Sequence, residues 1–202
     1  NPRIYHNNKK VRTRDILWVS GYLDTELVHV IVNHWPSRRG GEEESQPLRK
    51  KAAYSVSKLI ERIKEIDAQA KIIVMGDFND DPNDDSLKTL LKGINNQNNI
   101  IKDAFYNPFT SMFQKGFNTT GYRDNINLFD QLILSSSFII TKKKKQYDAY
   151  KLFQSGIYNP SFLVQPYGPQ KGYPFRSFSG GRYLEGYSDH YPVYLFLIKE
   201  VK

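Results

Sequence analysis

Several polar residues that could do hydrolytic chemistry stand at the ends of apolar runs. The plainest case is Ile72-Ile73-Val74-Met75-Gly76-Asp77-Phe78-Asn79-Asp80. A run rich in β-branched residues and too short for a buried helix predicts a strand covered on both faces. Gly76 lets the backbone turn there without a side-chain penalty. Asp77 and Asn79 follow two positions apart, and in an extended segment residues at i and i+2 point the same way. A carboxylate able to hold a cation or a water, and an amide that both donates and accepts, would converge beyond the carboxyl end of a central strand. A polar turn continuing into Asp80-Asp81-Pro82-Asn83 fits the same residues.

Leu27-Val28-His29-Val30-Ile31-Val32 repeats the pattern and ends in Asn33-His34-Trp35-Pro36-Ser37. Pro36 cannot extend a sheet, which puts His34 at a strand-to-loop corner. A lone histidine there is usually structural, but one beside Asn33 and followed by Ser37, Arg38 and Arg39 is better placed to meet an anion. Arg38-Arg39-Gly40-Gly41 reads equally as a phosphate clamp and as a solvated turn. Leu128 to Leu134 reads as a strand with Asp130 among apolar neighbours, and a buried acid needs a partner. Ser188-Asp189-His190 precedes a last strand, Tyr191 to Ile198. Neighbours in an extended chain face opposite ways, so Asp189 and His190 should serve different partners. Asp189 suits a hard cation, which prefers oxygen ligands. His190 needs another acid to orient it, and Asp130 is the candidate.

The elements that must position these groups follow from the remaining pattern. Asn1 to Arg14, with Arg3, Lys9, Lys10, Arg12 and Arg14, reads as a basic loop leading into a strand at Ile16 to Ser20, with a turn at Gly21 to Asp24. Ser45 is a plausible helix N-cap, with Pro47 tolerated in the first turn. Leu48, Ala52, Val56, Leu59, Ile60, Ile63 and Ile66 recur at helical spacing, giving one apolar stripe. Strand, helix and strand then form a βαβ unit that returns at Ile72. Ser86 to Leu91 reads as a short helix, Asn95 to Asn99 as loop, and Tyr147 to Tyr187 as long aromatic loops. Asn118-Thr119-Thr120 fits a glycosylation sequon, and Lys142 to Lys145 reads as a solvated hairpin tip or a nucleic-acid patch. Neither a repeat nor a domain boundary interrupts the 202 residues.

Composition narrows the chemistry. With 29 basic and 21 acidic residues the formal charge is +8, which favours anionic partners such as nucleic acid or other phosphates. The absence of cysteine removes disulfides, thiolate metal sites and a thiol nucleophile together, and leaves the compartment open. No apolar run approaches membrane-spanning length.

In their order, Asn33-His34, Gly76-Asp77-Phe78-Asn79, Phe129-Asp130 and Ser188-Asp189-His190 resemble the endonuclease/exonuclease/phosphatase superfamily. Its members include pancreatic-type deoxyribonucleases, abasic-site endonucleases, inositol-polyphosphate phosphatases and neutral sphingomyelinases. The run from Asn33 to Gly41 is most similar to a bacterial branch. The resemblance implies an α/β fold of two packed mixed β-sheets flanked by helices, a four-layer α/β/β/α sandwich, with a divalent-metal phosphoesterase site at one end. It implies that Asp77 and Asn79 position the attacking water and the phosphate, while His34 and His190 hydrogen-bond phosphoryl oxygens. It makes His190 or Asp77 the base, has Asp130 orient His190, and assigns Asp189, with Asp77 and Asn79, to Mg²⁺, or to Mn²⁺ or Ca²⁺. Asn33, Arg38 and Arg39 are the candidates to hold substrate.

One departure matters. The family pattern opens with an Asn on one strand and a Glu, the principal metal ligand, on the next, and no such pair occurs here. Residues 1–202 are therefore expected to be the carboxyl-terminal portion of a single domain truncated on its N-terminal side, the missing segment being supplied in cis or as a separate chain. The expected activity is hydrolysis of phosphodiester or phosphomonoester bonds, with nucleic acid as the favoured substrate. The alternative is a catalytically impaired module that binds nucleic acid or phosphate.

Overall fold

A computed structural model describes residues 4–6, 9–11, 13–91, 104–122, 125–140 and 147–201. Its strands are β1 (Ile4–His6), β2 (Lys9–Val11), β3 (Leu17–Leu23), β4 (Glu26–His34), β5 (Lys71–Asp77), β6 (Phe105–Tyr106), β7 (Thr120–Tyr122), β8 (Asn125–Asn127), β9 (Asp130–Ser135), β10 (Lys151–Ile157), β11 (Phe178–Ser179), β12 (Arg182–Tyr183) and β13 (Val193–Ile198). The helices are α1 (Glu42–Ile66), α2 (Asp85–Leu91) and α3 (Phe109–Gln114).

The central sheet has five strands in the order β3-β4-β5-β9-β6, and β4 and β5 run parallel with α1 as their crossover. Strand β5 shows how sequence sets the layers. Ile72 and Val74 are wholly buried and pack with Ala53, Val56 and Ile63 of α1. Ile73, the residue between them, packs with Leu134, Leu195 and Leu197 on the opposite face. Slipping the register by one residue would exchange the two sets, so the alternation of apolar residues locks the pairing. The second sheet, β10 and β13 paired antiparallel, lies against that opposite face. The result is a mixed α/β fold of packed sheets. Among the described residues, no helix long and apolar enough to cross a membrane is present.

Several expectations are corrected. The amino-terminal stretch expected as loop contains the β1–β2 hairpin, with Ile4 opposite Val11. The turn expected at Gly21 to Asp24 falls instead at Asp24-Thr25, because β3 continues to Leu23, which pairs with Glu26. Asp24 takes φ 51, a left-handed conformation that aspartate tolerates in two-residue hairpin turns. Helix α1 starts at Glu42 rather than after Ser45, so Pro47 falls beyond its first turn. Gly41 at φ 127 makes the N-terminal turn, and Glu42, Glu43 and Glu44 place negative charge where the helix dipole favours it. Strand β10 lies inside the region expected as loop, because Lys151 to Ile157 finds a partner in β13. The readings for Asn95 to Asn99 and Lys142 to Lys145 lie outside the described residues.

Candidate active site

Register assembles the site. His34 is the cross-strand partner of Asp77, and Asp77 is the partner of Asp130, so three adjacent strands place three polar side chains in one row. Alternation puts that row on the face carrying Val30, Ile73 and Leu134, which is turned toward the second sheet. His34 Nε2 lies 3.3 Å from Asp77 Oδ2. At the other end of the row, His190 Nδ1 meets Asp130 Oδ2 at 2.6 Å. His190 reaches Asp130 through a bridge to Thr120, whose Oγ1 donates to the Asp189 carbonyl at 2.9 Å. Thr119, fully buried, accepts the Asp130 N–H on its Oγ1 at 3.3 Å. The two threonines of the sequon pattern thus hold the segment that delivers His190; their spacing alone carried no signal of this.

The turn after β5 is built for close approach. Gly76 sits at φ 132, and a Cβ added there would lie 1.9 Å from the Asn33 carbonyl oxygen. Trp35 N–H donates to the Asp77 carbonyl and Phe78 N–H to the Phe129 carbonyl, each at 2.9 Å. The strand ends at Asp77, so Asn79 does not align with it by period two as expected. Asn79 takes φ 50, and its N–H donates to Asp77 Oδ1 at 2.8 Å, which joins the two residues through a local turn instead. Its Nδ2 donates to the Trp35 carbonyl at 3.1 Å.

Two expected substrate-binding residues are committed elsewhere. Asn33 faces away from His34, into the helix-covered core, where its Oδ1 accepts from Trp35 Nε1 at 3.1 Å and its Nδ2 donates to the Ile31 carbonyl at 3.1 Å. Arg38 donates from Nε to the Asn79 carbonyl at 3.0 Å and pairs with Asp84 and Glu42, each at 2.8 Å. It is therefore a strap on the Asp77–Asn79 turn, not an open clamp. Arg39 remains exposed.

A buried network missed by the sequence reading supports this turn. Arg49, fully buried on α1, donates to Asp80 Oδ1 at 2.6 Å and to Ser45 Oγ at 2.8 Å. Ser86 donates to Asp80 Oδ2 at 2.5 Å, and Gln131 Nε2 donates to the Asp80 carbonyl at 2.9 Å. Burial pushes the Asp80 carboxyl up to about 6 against the opposing pull of Ser86 and Arg49. Burial likewise raises Asp81 to about 6, although its Oδ1 accepts the Leu128 N–H. The available signal was that Arg49 falls at helical spacing on the buried stripe of α1, three and four residues before Ala52 and Ala53, where a cation needs a buried partner.

Electrostatics separates the two histidines. Burial draws His190 down, but the hydrogen bond and charge of Asp130 outweigh it and hold its pKa above the ordinary value. Burial lowers His34, and the charges of Arg14 and His190 add to that effect while Asp77 opposes it. Asp77 is raised, chiefly by burial, with Asp130 adding to it and the Asn79 N–H opposing. The two imidazoles of the row are thus shifted in opposite directions, His190 up by Asp130 and His34 down by burial. Among the described residues, no group of three or more His, Cys, Asp or Glu is arranged to hold a metal ion. Asp130 is engaged by His190, and Asp189 is exposed. The side chains of the described residues do not by themselves complete a divalent-cation shell.

A sequence model of the Endonuclease/Exonuclease/phosphatase family matches residues 2–199. The chain belongs to that family. No curated protein matches it. Among solved structures, truncated TDP2 from Caenorhabditis elegans superposes with a TM-score of 0.53 at 14% identity, over 88% of this chain and 57% of that one. Beta toxin from Staphylococcus aureus gives 0.50 at 18% identity, over 90% of this chain and 56% of the toxin. Humanized D. rerio TDP2 gives 0.50 at 16% identity, over 90% of this chain and 59% of the other. The chain thus spans less than two thirds of the length of these relatives, which share its fold.

Proposed function

We propose that this chain carries the acid–base part of a metal-dependent phosphodiesterase site, with nucleic acid as the favoured substrate. The observation that carries the reading is the row His34, Asp77, Asp130 and His190, in which His34 lies 3.3 Å from Asp77 and His190 lies 2.6 Å from Asp130. Asp77, its pKa raised by burial and its carboxylate backed by the Asn79 N–H, accepts the proton of the attacking water. His190, oriented and raised by Asp130 through Nδ1, presents Nε2–H to a phosphoryl oxygen as the bond to the leaving group breaks. His34 donates a second hydrogen bond to the same phosphoryl group.

The cofactor this reading calls for is Mg²⁺, or Mn²⁺ or Ca²⁺, and a variant of the S. aureus toxin was solved with bound magnesium. It would neutralise phosphoryl charge, but Asp77, Asn79 and Asp189 fall short of a full oxygen shell. The remaining carboxylate would come from a further segment, in cis or as a separate chain. Support for such a segment is the apolar surface of the edge strand β3, where Leu17 is 57% exposed, Trp18 44% and Tyr22 75%. That incomplete shell equally favours a second reading, a phosphate- or nucleic-acid-binding module without turnover.

The test measures hydrolysis of a duplex, a single strand and bis(p-nitrophenyl) phosphate with Mg²⁺ or with chelator, for the 202-residue chain alone and joined to its adjoining coding sequence. Chelator-sensitive cleavage that needs the longer chain and is lost in Asp77→Ala supports the hydrolase. Oligonucleotide binding with no cleavage by either chain supports the binding module.

A further inference from the structure

Four arginines of the segments around His34 and the turn after β5 divide into two kinds. Arg38 and Arg49 are satisfied by carboxylates of the chain itself. Arg14 and Arg39 are exposed, and among the described residues neither makes a hydrogen bond or an ion pair. Both line one cavity of about 420 Å³, together with Thr13, Ser37, Pro36 and Leu48. The hydroxyls of Thr13 and Ser37 likewise have no hydrogen-bond partner among the described residues. Two cations and two hydroxyls thus face one concave, solvent-reached space with no carboxylate among its lining residues.

The cavity adjoins the row of catalytic candidates. Pro36 and Ser37 follow His34 by two and three residues in the sequence, and even fully extended chain puts Ser37 within roughly 10 Å of His34. Arg14 also lies close enough for its charge to act on His34. A phosphate one unit along a chain from a phosphate held at His34 therefore falls at this cavity. Guanidinium groups bind phosphate bidentately and cannot lose their charge, and hydroxyls supply the additional donors.

We propose that Arg14, Arg39, Thr13 and Ser37 form a second anion subsite that holds a neighbouring phosphate of the substrate. This rests on the reading above in taking His34 as the place of the reacting phosphate. It extends that reading from a lone phosphoester to a substrate carrying at least two phosphates, as in a nucleic-acid strand or a small bisphosphate.

The test is binding without turnover. Fluorescein-labelled dT12 is titrated with the full chain in chelator across a range of salt, followed by anisotropy, for wild type, Arg14→Ala/Arg39→Ala and Arg14→Lys/Arg39→Lys. Unlabelled thymidine 3′,5′-bisphosphate and thymidine 5′-monophosphate serve as competitors. Losing the one phosphate held at this subsite should flatten the log–log salt slope by about 0.7 on a single strand. Wild type should prefer the bisphosphate about tenfold over the monophosphate. The double alanine variant should lose that preference, while the lysine variant keeps the slope. A strand slope that falls without a bisphosphate preference assigns the subsite to polynucleotide alone, within the proposal. An unchanged slope together with an unchanged competitor ratio in the double alanine variant overturns it. Wild-type binding with the predicted slope, but no cleavage once metal is restored to the longer chain, overturns the hydrolase reading and leaves the subsite standing.

Discussion

Replacing Asp130 by Asn isolates the contact on which the proposed chemistry turns. The substitution is nearly isosteric, and Asp130 N–H stays bonded to Thr119, so the backbone has no reason to move. What disappears is a charge 2.6 Å from His190 Nδ1. A hydrogen bond between charged groups contributes about 1.5–3 kcal/mol. If the imidazolium is needed in the transition state, losing that contribution slows turnover roughly 10- to 150-fold. The pH dependence adds a sharper signature. Burial lowers His190 and Asp130 is the chief opposing influence, so without Asp130 its pKa falls, and the alkaline limb of the rate profile moves to lower pH. The linkage sign agrees. A histidine raised in the folded state contributes stability that is fully present below its unfolded pKa and is lost as pH rises through the folded value. Asp130→Asn should therefore remove stability near pH 6 and much less at pH 9. The assays are the pH–rate profile on a phosphodiester and a ¹⁵N NMR titration of the His190 ring. A variant whose ring titrates as in wild type, or whose rate profile is unmoved, would refute the pairing as the source of the charge.

Further outcomes follow from other contacts. Gly76→Ala places a methyl 1.9 Å from the Asn33 carbonyl oxygen at φ 132, so thermal denaturation should show a loss of several kcal/mol, read as a fall in Tm of roughly 10 °C. Arg49→Met strands Asp80 without its closest cation and should cost about 3–5 kcal/mol in urea unfolding, while Arg49→Met/Asp80→Leu should recover part of that loss. Asp81, raised to about 6, contributes stability that is present below the unfolded carboxylate value and lost as pH rises through about 6. Asp81→Asn keeps an oxygen for the Leu128 N–H, so it should flatten the stability profile between pH 4 and 6, and an unchanged slope there would discount the buried charge. Arg38→Ala frees the Asn79 carbonyl and should lower kcat more than it raises KM, whereas a pure KM effect would make Arg38 a substrate contact after all.

The sequence determined the apolar core strands and the side chains that end them. Ile72 to Met75, Leu27 to Val32 and Leu132 to Leu134 are legible because β-branched and apolar residues alternate between two buried faces, a local property that needs no knowledge of neighbours. The apolar stripe of α1 is legible for the same reason, and so is the need of Asp130 for a partner, since burial without one is costly. Tertiary structure decided what those side chains meet. That His34, Asp77 and Asp130 share a row depends on strand register, which the sequence sets only through packing of both sheet faces at once. The bond from His190 to Asp130 spans 60 residues, and no local spacing specifies its geometry. Arg38 and Arg39 are chemically identical neighbours, yet one is strapped to Asn79, Asp84 and Glu42 while the other faces an open cavity. That division exists only once the turn after β5 folds against the start of α1, because charge in a sequence says which ions are present but not which of them have already found each other.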